Sequence, residues 1–432
     1  MKLFNYPSKS AEKKITSIVK RGLGFKKKDV LAVTRILEDV RKNGDKALIK
    51  YANQFDSPDL TLESLQATSQ EINNAAKKVD QSFVRALNRA AGQIESFHKQ
   101  QLSKSWDYTE RPGTLLGQLV NPVDVAGVYV PGGMGGKTPL VSSVLMGVIP
   151  ARIAGVKNIA MVTPPTKDGT VNPYLLAAAK RVEVDAVYKV GSAWAIAALA
   201  YGTETIPKVD VIVGPGNIYV TLAKKIVAGT VGIDMLAGPS EILVIADSTA
   251  RPDFIAADLL SQAEHDTLAS AILVTDSKAT AKAVAAAVDE QLENLARKEV
   301  ARESLARFGA IMIVPDLDAA IELSNRIAPE HLELQVKDPL AYLGLIRNAG
   351  AVFMGSFTPE PVGDYIAGPN HVLPTAGTAR FSSALSVDNF IKKTSLIQYS
   401  KAALKREAKD IIRLAEIEGL DAHANSVKVR LT

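Results

Sequence analysis

Along the first hundred positions, apolar residues recur every three to four residues, the spacing that collects them on one face of a helix. This pattern predicts a short amphipathic helix over 11–19, closed by Gly22 and Gly24, and long helices over 29–55 and 71–101. His98 falls in the last of these, as a surface or packing residue. The texture changes at Val123. Short β-rich runs over 125–130, 158–162, 186–190, 209–213, 241–246, 271–275, 310–314 and 351–354 alternate with helical patterns, among them 139–154, 193–201, 218–227 and 280–297. Such alternation predicts an α/β architecture with mainly parallel sheets. The strands outnumber what one sheet comfortably holds, so two nucleotide-fold-like α/β domains are expected. An amphipathic helix over 401–419 and a strand-like tail over 426–431 close the chain. The division expected is an N-terminal helical arm over 1–25, a large discontinuous α/β domain from 26–127 and 241–380, a second α/β domain over 128–240 and a C-terminal extension over 381–432.

Composition narrows the chemistry more than the fold. The chain has 432 residues, with 47% hydrophobic and 22% charged, ordinary for a soluble globular protein. It has no cysteine, which excludes disulfides, thiolate-bound zinc and cysteine nucleophiles. The net charge is +5, with acidic and basic residues interspersed; the basic run over 20–28 reads as a solvated linker. The first 14 residues hold no apolar signal region, and no apolar run is long enough to span a bilayer, so a cytoplasmic protein is expected.

Two glycine-rich loops each follow a strand and precede a helix, the setting in which backbone amides meet an anion. In the first, over 131–138, a phosphate-binding loop would need glycine where Pro131 stands. The second is Gly214-Pro215-Gly216-Asn217. Neither fits the G-x-G-x-x-G dinucleotide fingerprint, so nucleotide binding rests on context alone.

The chain has only five histidines, and four sit near an acid or amide. Gln262 and His265 stand three apart at the end of a helix that begins near Asp253, hence on one face, and offer an amide oxygen with an imidazole nitrogen. Glu330 and His331 follow a helical segment over 316–327 that Pro329 ends. Placed at a turn, this carboxylate and imidazole can face one cavity, where a neutral His accepts protons and a Glu deprotonates water. Asp364 and His371 share a Gly/Pro-rich loop, and Glu418 and His423 follow the C-terminal helix. Imidazole, carboxylate and amide oxygen together suit a borderline divalent metal such as zinc.

Several longer segments carry a resemblance. They include Val128-Tyr129-Val130-Pro131-Gly132-Gly133, Val213-Gly214-Pro215-Gly216-Asn217, Leu236-Ala237-Gly238-Pro239-Ser240-Glu241, Leu260-Ser261-Gln262-Ala263-Glu264-His265-Asp266, Ala328-Pro329-Glu330-His331 and Gly363-Asp364-Tyr365-Ile366-Ala367-Gly368-Pro369-Asn370-His371. With these, the sequence resembles the histidinol dehydrogenases from about residue 30 to the C-terminus. The resemblance implies oxidation of L-histidinol to L-histidine in two NAD-dependent steps through an aldehyde, at the end of histidine biosynthesis, by a zinc-containing homodimer. It implies zinc bound by Gln262, His265, Asp364 and His423, with Glu418 and His423 serving the partner subunit through an intertwined C-terminal segment. It further implies Glu330 and His331 as the acid–base pair, Ser240, Glu418, His331 and the zinc ligands as substrate contacts, and Tyr129 and Asn217 as NAD contacts. Trp194 stands where the family usually carries Gln, so no NAD contact is carried over there. Two other readings compete. One is a paralogous zinc- and NAD-dependent dehydrogenase of another polar alcohol; the other is a non-catalytic metal-stabilised or anion-binding protein.

Overall fold

Two parallel sheets and one antiparallel sheet account for the strands of the computed structural model, which describes residues 1–21, 24–133 and 138–431. The larger sheet has six parallel strands in the order Leu3–Asn5, Ala310–Ile313, Ser270–Thr275, Glu241–Ala246, His331–Gln335 and Ala351–Met354. Its central strands read as unbroken apolar runs because helices cover both faces. Ile242 and Val244 pack toward helices Pro252–Ala263 and Lys278–Leu292. Leu243 and Ile245, one residue out of phase, pack toward Lys9–Val19 and Leu317–Ile327.

The smaller parallel sheet has five strands in the order Ala186–Tyr188, Asn158–Val162, Val125–Tyr129, Val211–Val213 and Gly232–Ile233. Helices Gln81–Lys99, Val141–Ala154 and Pro173–Arg181 cover one face, and Lys27–Phe55, Ser192–Tyr201 and Ile218–Val227 the other. Hydrophobic packing therefore groups residues 27–99 with the 128–240 sheet, not with the 241–380 sheet as the expected division has it. The N-terminal arm is more than helical. Its strand Leu3–Asn5 extends the larger sheet, and Ala11, Ile15 and Ile18 join that sheet's core.

Three local expectations fail. The helix expected over 71–101 is two, Ser69–Lys78 and Gln81–Lys99, because Asp80 caps a new start through Phe83 N–H. Residues 106–122 and 391–399 form an antiparallel sheet that the periodicity did not announce; Ile391–Tyr399 is largely solvated and so lacks a clean alternation. The tail expected as a strand over 426–431 is instead the end of helix Asp421–Lys428. The end of the first helix at Gly22 and most of the first glycine loop, 134–137, lie outside the described residues. Among the described residues, no helix is long and apolar enough to cross a membrane.

In the smaller sheet the strand order reverses between Val125–Tyr129 and Val211–Val213, the switch point beyond whose carboxyl ends ligands commonly sit. Gly214 makes that edge. Its φ is +111°, and a Cβ there would stand 2.1 Å from the Tyr129 carbonyl oxygen. Gly229, at φ +93°, has open space around it. Gly229→Ala should therefore cost only backbone strain, about 1–2 kcal/mol. Gly214→Ala should cost about 1–3 kcal/mol more from crowding. Urea denaturation of both variants checks this; equal losses would show that the close approach at Gly214 carries no energy.

Candidate active site

The residue that organises the site is Glu241, first in its strand, because strand His331–Gln335 pairs with it in parallel, His331 opposite Ile242. Ala328 ends the preceding helix in a left-handed turn at φ +55°, and Pro329 follows. The chain then enters the sheet with Glu330 and His331 only 7% and 4% exposed. The Glu330 carboxylate accepts the Glu241 N–H at 2.9 Å, and the Glu330 N–H donates to the Glu241 carboxylate at 3.3 Å. His331 Nδ1 lies 2.9 Å from the Glu241 carbonyl oxygen. A carbonyl only accepts, so Nδ1 carries the proton and Nε2 keeps its lone pair. Glu330 and His331 stand 3.8 Å apart.

Burial sets the charge states. It pushes the Glu330 carboxyl well above the usual carboxylate range, helped by the nearby Glu241, Asp364 and Glu360 charges. It draws the His331 imidazole down to about 4, so this ring is neutral at ordinary pH. His265 and His371 act on His331 in the same direction, and Asp364 opposes them.

On the Nε2 side of His331, at 3.7 Å, stands Glu360, buried in the short helix Glu360–Tyr365. Asp364 follows one turn later, so both carboxylates share a helical face. Ligand atoms of His331, Glu360 and Asp364 all lie within 4.8 Å of one another. Burial first, and then the Asp364 carboxylate, raise the Glu360 carboxyl to about 8. His371 Nδ1 lies 3.8 Å from Asp364, and both line a cavity of about 120 Å³ with His331.

Gln262 is in the last turn of helix Pro252–Ala263, whereas His265 lies just past its end. The Gln262 Oε1 atom is buried and has no hydrogen-bond partner. An amide oxygen left unpaired inside a protein is costly unless something accepts it as a ligand. That orphaned oxygen, in a chain that offers imidazoles and carboxylates but no thiolate, fits a ligand for zinc.

The second cavity, about 300 Å³, lies between the two sheets and brings together Asn217, Ser240 and His265. Asn217 caps helix Ile218–Val227 by accepting the Tyr219 and Val220 N–H groups, which leaves its amide N–H₂ free. Behind this loop a buried Lys224–Asp234 ion pair holds Gly214, whose carbonyl accepts from Lys224 and whose N–H donates to Asp234. The Tyr129 hydroxyl is buried and accepts the Ser192 N–H at 3.1 Å. Trp194 turns away from this edge: its ring stacks on Tyr51 and Phe55, and its Nε1–H donates to Asp56.

Glu418 and His423 are exposed on the C-terminal helices and do not join this cluster within the chain. Three buried residues were missed. Glu241 reads in sequence only as the head of an apolar strand, and Glu360 is legible as the partner of Asp364 four residues on. Arg21 belongs to the run read as a solvated linker, yet its side chain is 2% exposed and paired to Glu241 at 2.8 Å.

Comparison with known proteins agrees with this geometry. The family model described as histidinol dehydrogenase matches residues 23–431. The chain is 56% identical over 400 residues to the histidinol dehydrogenase of Desulfotalea psychrophila, covering 93% of this chain and 92% of that one. It is 54% identical over 400 residues to that of Carboxydothermus hydrogenoformans, covering 93% of each. The crystal structure of histidinol dehydrogenase from Elizabethkingia anophelis, 39% identical, matches with a TM-score of 0.93 and covers 100% of this chain and 98% of that one. A match of this extent in sequence and in fold assigns the chain to the histidinol dehydrogenase family.

Proposed function

We propose that the protein oxidises L-histidinol to L-histidine through L-histidinal in two NAD-dependent steps, the last of histidine biosynthesis, as a cytoplasmic homodimer. The observation that carries this reading is the joint tethering of Glu330 and His331 to residue 241, which leaves one neutral base and one buried carboxyl side by side.

Gln262, His265 and Asp364 would hold the zinc, with the partner subunit's His423 as a further ligand. When bound, zinc grips the substrate without taking its electrons, since it has no accessible redox change, and NAD supplies the hydride acceptor. Asn217 and Tyr129 line the NAD side, while Ser240 and the partner subunit's Glu418 hold substrate. Exposed Leu414 and Ile417, at 62% and 65%, precede Glu418 on helix Lys401–Ile417 and suit a surface that a second copy covers.

His331 Nε2 takes the hydroxyl proton as the carbinol carbon loses hydride, giving the aldehyde. With no cysteine in the chain, a thiohemiacetal cannot form. Water adds to the aldehyde instead, and Glu330 takes its proton. The hydrate then loses its own hydroxyl proton to His331 and a second hydride, leaving the acid. Each histidinol and one water thus yield histidine and two reduced cofactors, and the protons pass to solvent through these two side chains. Such base catalysis contributes roughly 10²–10⁴ to each step.

The direct test is an NADH assay with histidinol and a panel of polar alcohols, with and without a chelator. Chelator-sensitive NADH formation specific to histidinol is expected; preference for another alcohol would favour the paralogous dehydrogenase, and no NADH with any alcohol would contradict both. Glu330→Gln should spare alcohol oxidation relative to aldehyde oxidation, whereas His331→Asn should slow both steps by roughly 10²-fold or more. Half-reactions started from histidinol and from histidinal separate the two, and equal losses in Glu330→Gln would refute the division of roles. Asn217→Asp keeps the helix cap but removes the free donor. Its KM for NAD should rise about tenfold at unchanged thermal midpoint; an unchanged KM would remove Asn217 from the cofactor site.

A further inference from the structure

The N-terminal arm reaches the site through one side chain. Arg21 follows helix Lys9–Val19, which the larger sheet's core anchors through Ala11, Ile15 and Ile18. Its Nη2 donates to Glu241 Oε1 at 2.8 Å and to the carbonyls of Pro239 at 3.3 Å and Ser240 at 3.4 Å. The guanidinium lies 5.7 Å from the centre of the Phe308 ring, and its Nε and Nη1 are buried without partners. A buried cation with so few hydrogen bonds is expensive unless its charge is needed.

What needs it is the carboxylate pair. Glu241 and Glu330 each donate their backbone N–H to the other's carboxylate inside the protein, and Arg21 is drawn electrostatically to both. Glu330 also faces Asp364 and Glu360, beside neutral His331. We propose that Arg21 is a positioning residue for Glu330: by clamping the Glu241 carboxylate and the carbonyls at 239 and 240, it fixes residue 241, whose N–H and carboxylate together hold Glu330. This rests on the histidinol-oxidising reading above and goes beyond it, because Arg21 precedes the matched region and has no contact with the reacting groups.

The effect falls on one step. Without the clamp, both hydrogen bonds that orient Glu330 against residue 241 lose their support, and a misplaced carboxylate takes a proton from the attacking water less efficiently. In Arg21→Met, kcat for histidinal oxidation should fall roughly 10- to 100-fold, the loss typical of a slightly misplaced catalytic group. Histidinol oxidation and KM for histidinol should change far less. Arg21→Lys should recover part of the loss, and millimolar guanidinium ion should recover part of it in Arg21→Met. Both half-reactions are measured on the full-length holoenzyme, after the wild type is shown to make NADH from histidinol. A wild type that makes none overturns the functional reading, and this inference with it. If the wild type is active, either of two results overturns the role of Arg21 alone: an unchanged aldehyde step in Arg21→Met, or equal loss of both steps that neither Lys nor guanidinium recovers.

Discussion

Pairing of one strand entry against another governs this structure. His331 stands opposite Ile242, and that register lets one residue, Glu241, use its N–H for Glu330 and its carbonyl for His331. A slip of one residue would turn every side chain of His331–Gln335 to the opposite face. Leu332 and Leu334 pack into the core on one side, so such a slip would bury polar groups in their place. Hydrophobic packing of the sheet thus enforces the geometry of the Glu330–His331 pair. The tautomer of His331 follows from the fold, and no second carboxylate is needed to choose it.

The location is unusual for parallel sheets. Ligands ordinarily gather beyond the carboxyl ends of strands, and the smaller sheet obeys this with Gly214–Asn217 at its switch point. The larger sheet contributes its amino edge, where Glu241 and His331 begin their strands. The cavity joining Asn217 to Ser240 and His265 therefore lies between opposite edges of two sheets. This arrangement sets the loops of one sheet across a cavity from the strand entries of the other, where buried titratable groups gather.

Much of this was legible in the sequence because it follows from local pattern. The alternation of apolar runs with helical stretches gave eight of the eleven strands of the two parallel sheets, and Pro329 after an amphipathic segment marked the approach to Glu330. What escaped depends on distant pairing. Glu241 looks like the start of an apolar strand, and nothing near it in sequence announces that Arg21 will reach it from 220 residues away. Arg21 sits among lysines that do face water, so its burial is invisible to composition. The solvated strand Ile391–Tyr399 is held by its neighbour Thr114–Pro122, not by an alternating pattern of its own. Likewise, the grouping of residues 27–99 with the smaller sheet is a matter of which faces remained uncovered.

The central claim is that the Glu241 carbonyl fixes His331 as a neutral base with its lone pair on Nε2. Neutron diffraction from deuterated crystals near pH 7 reads this directly. The account predicts a deuteron on His331 Nδ1, pointing at the Glu241 oxygen, and none on Nε2. A deuteron on Nε2, whether as the other tautomer or as the imidazolium, would contradict it.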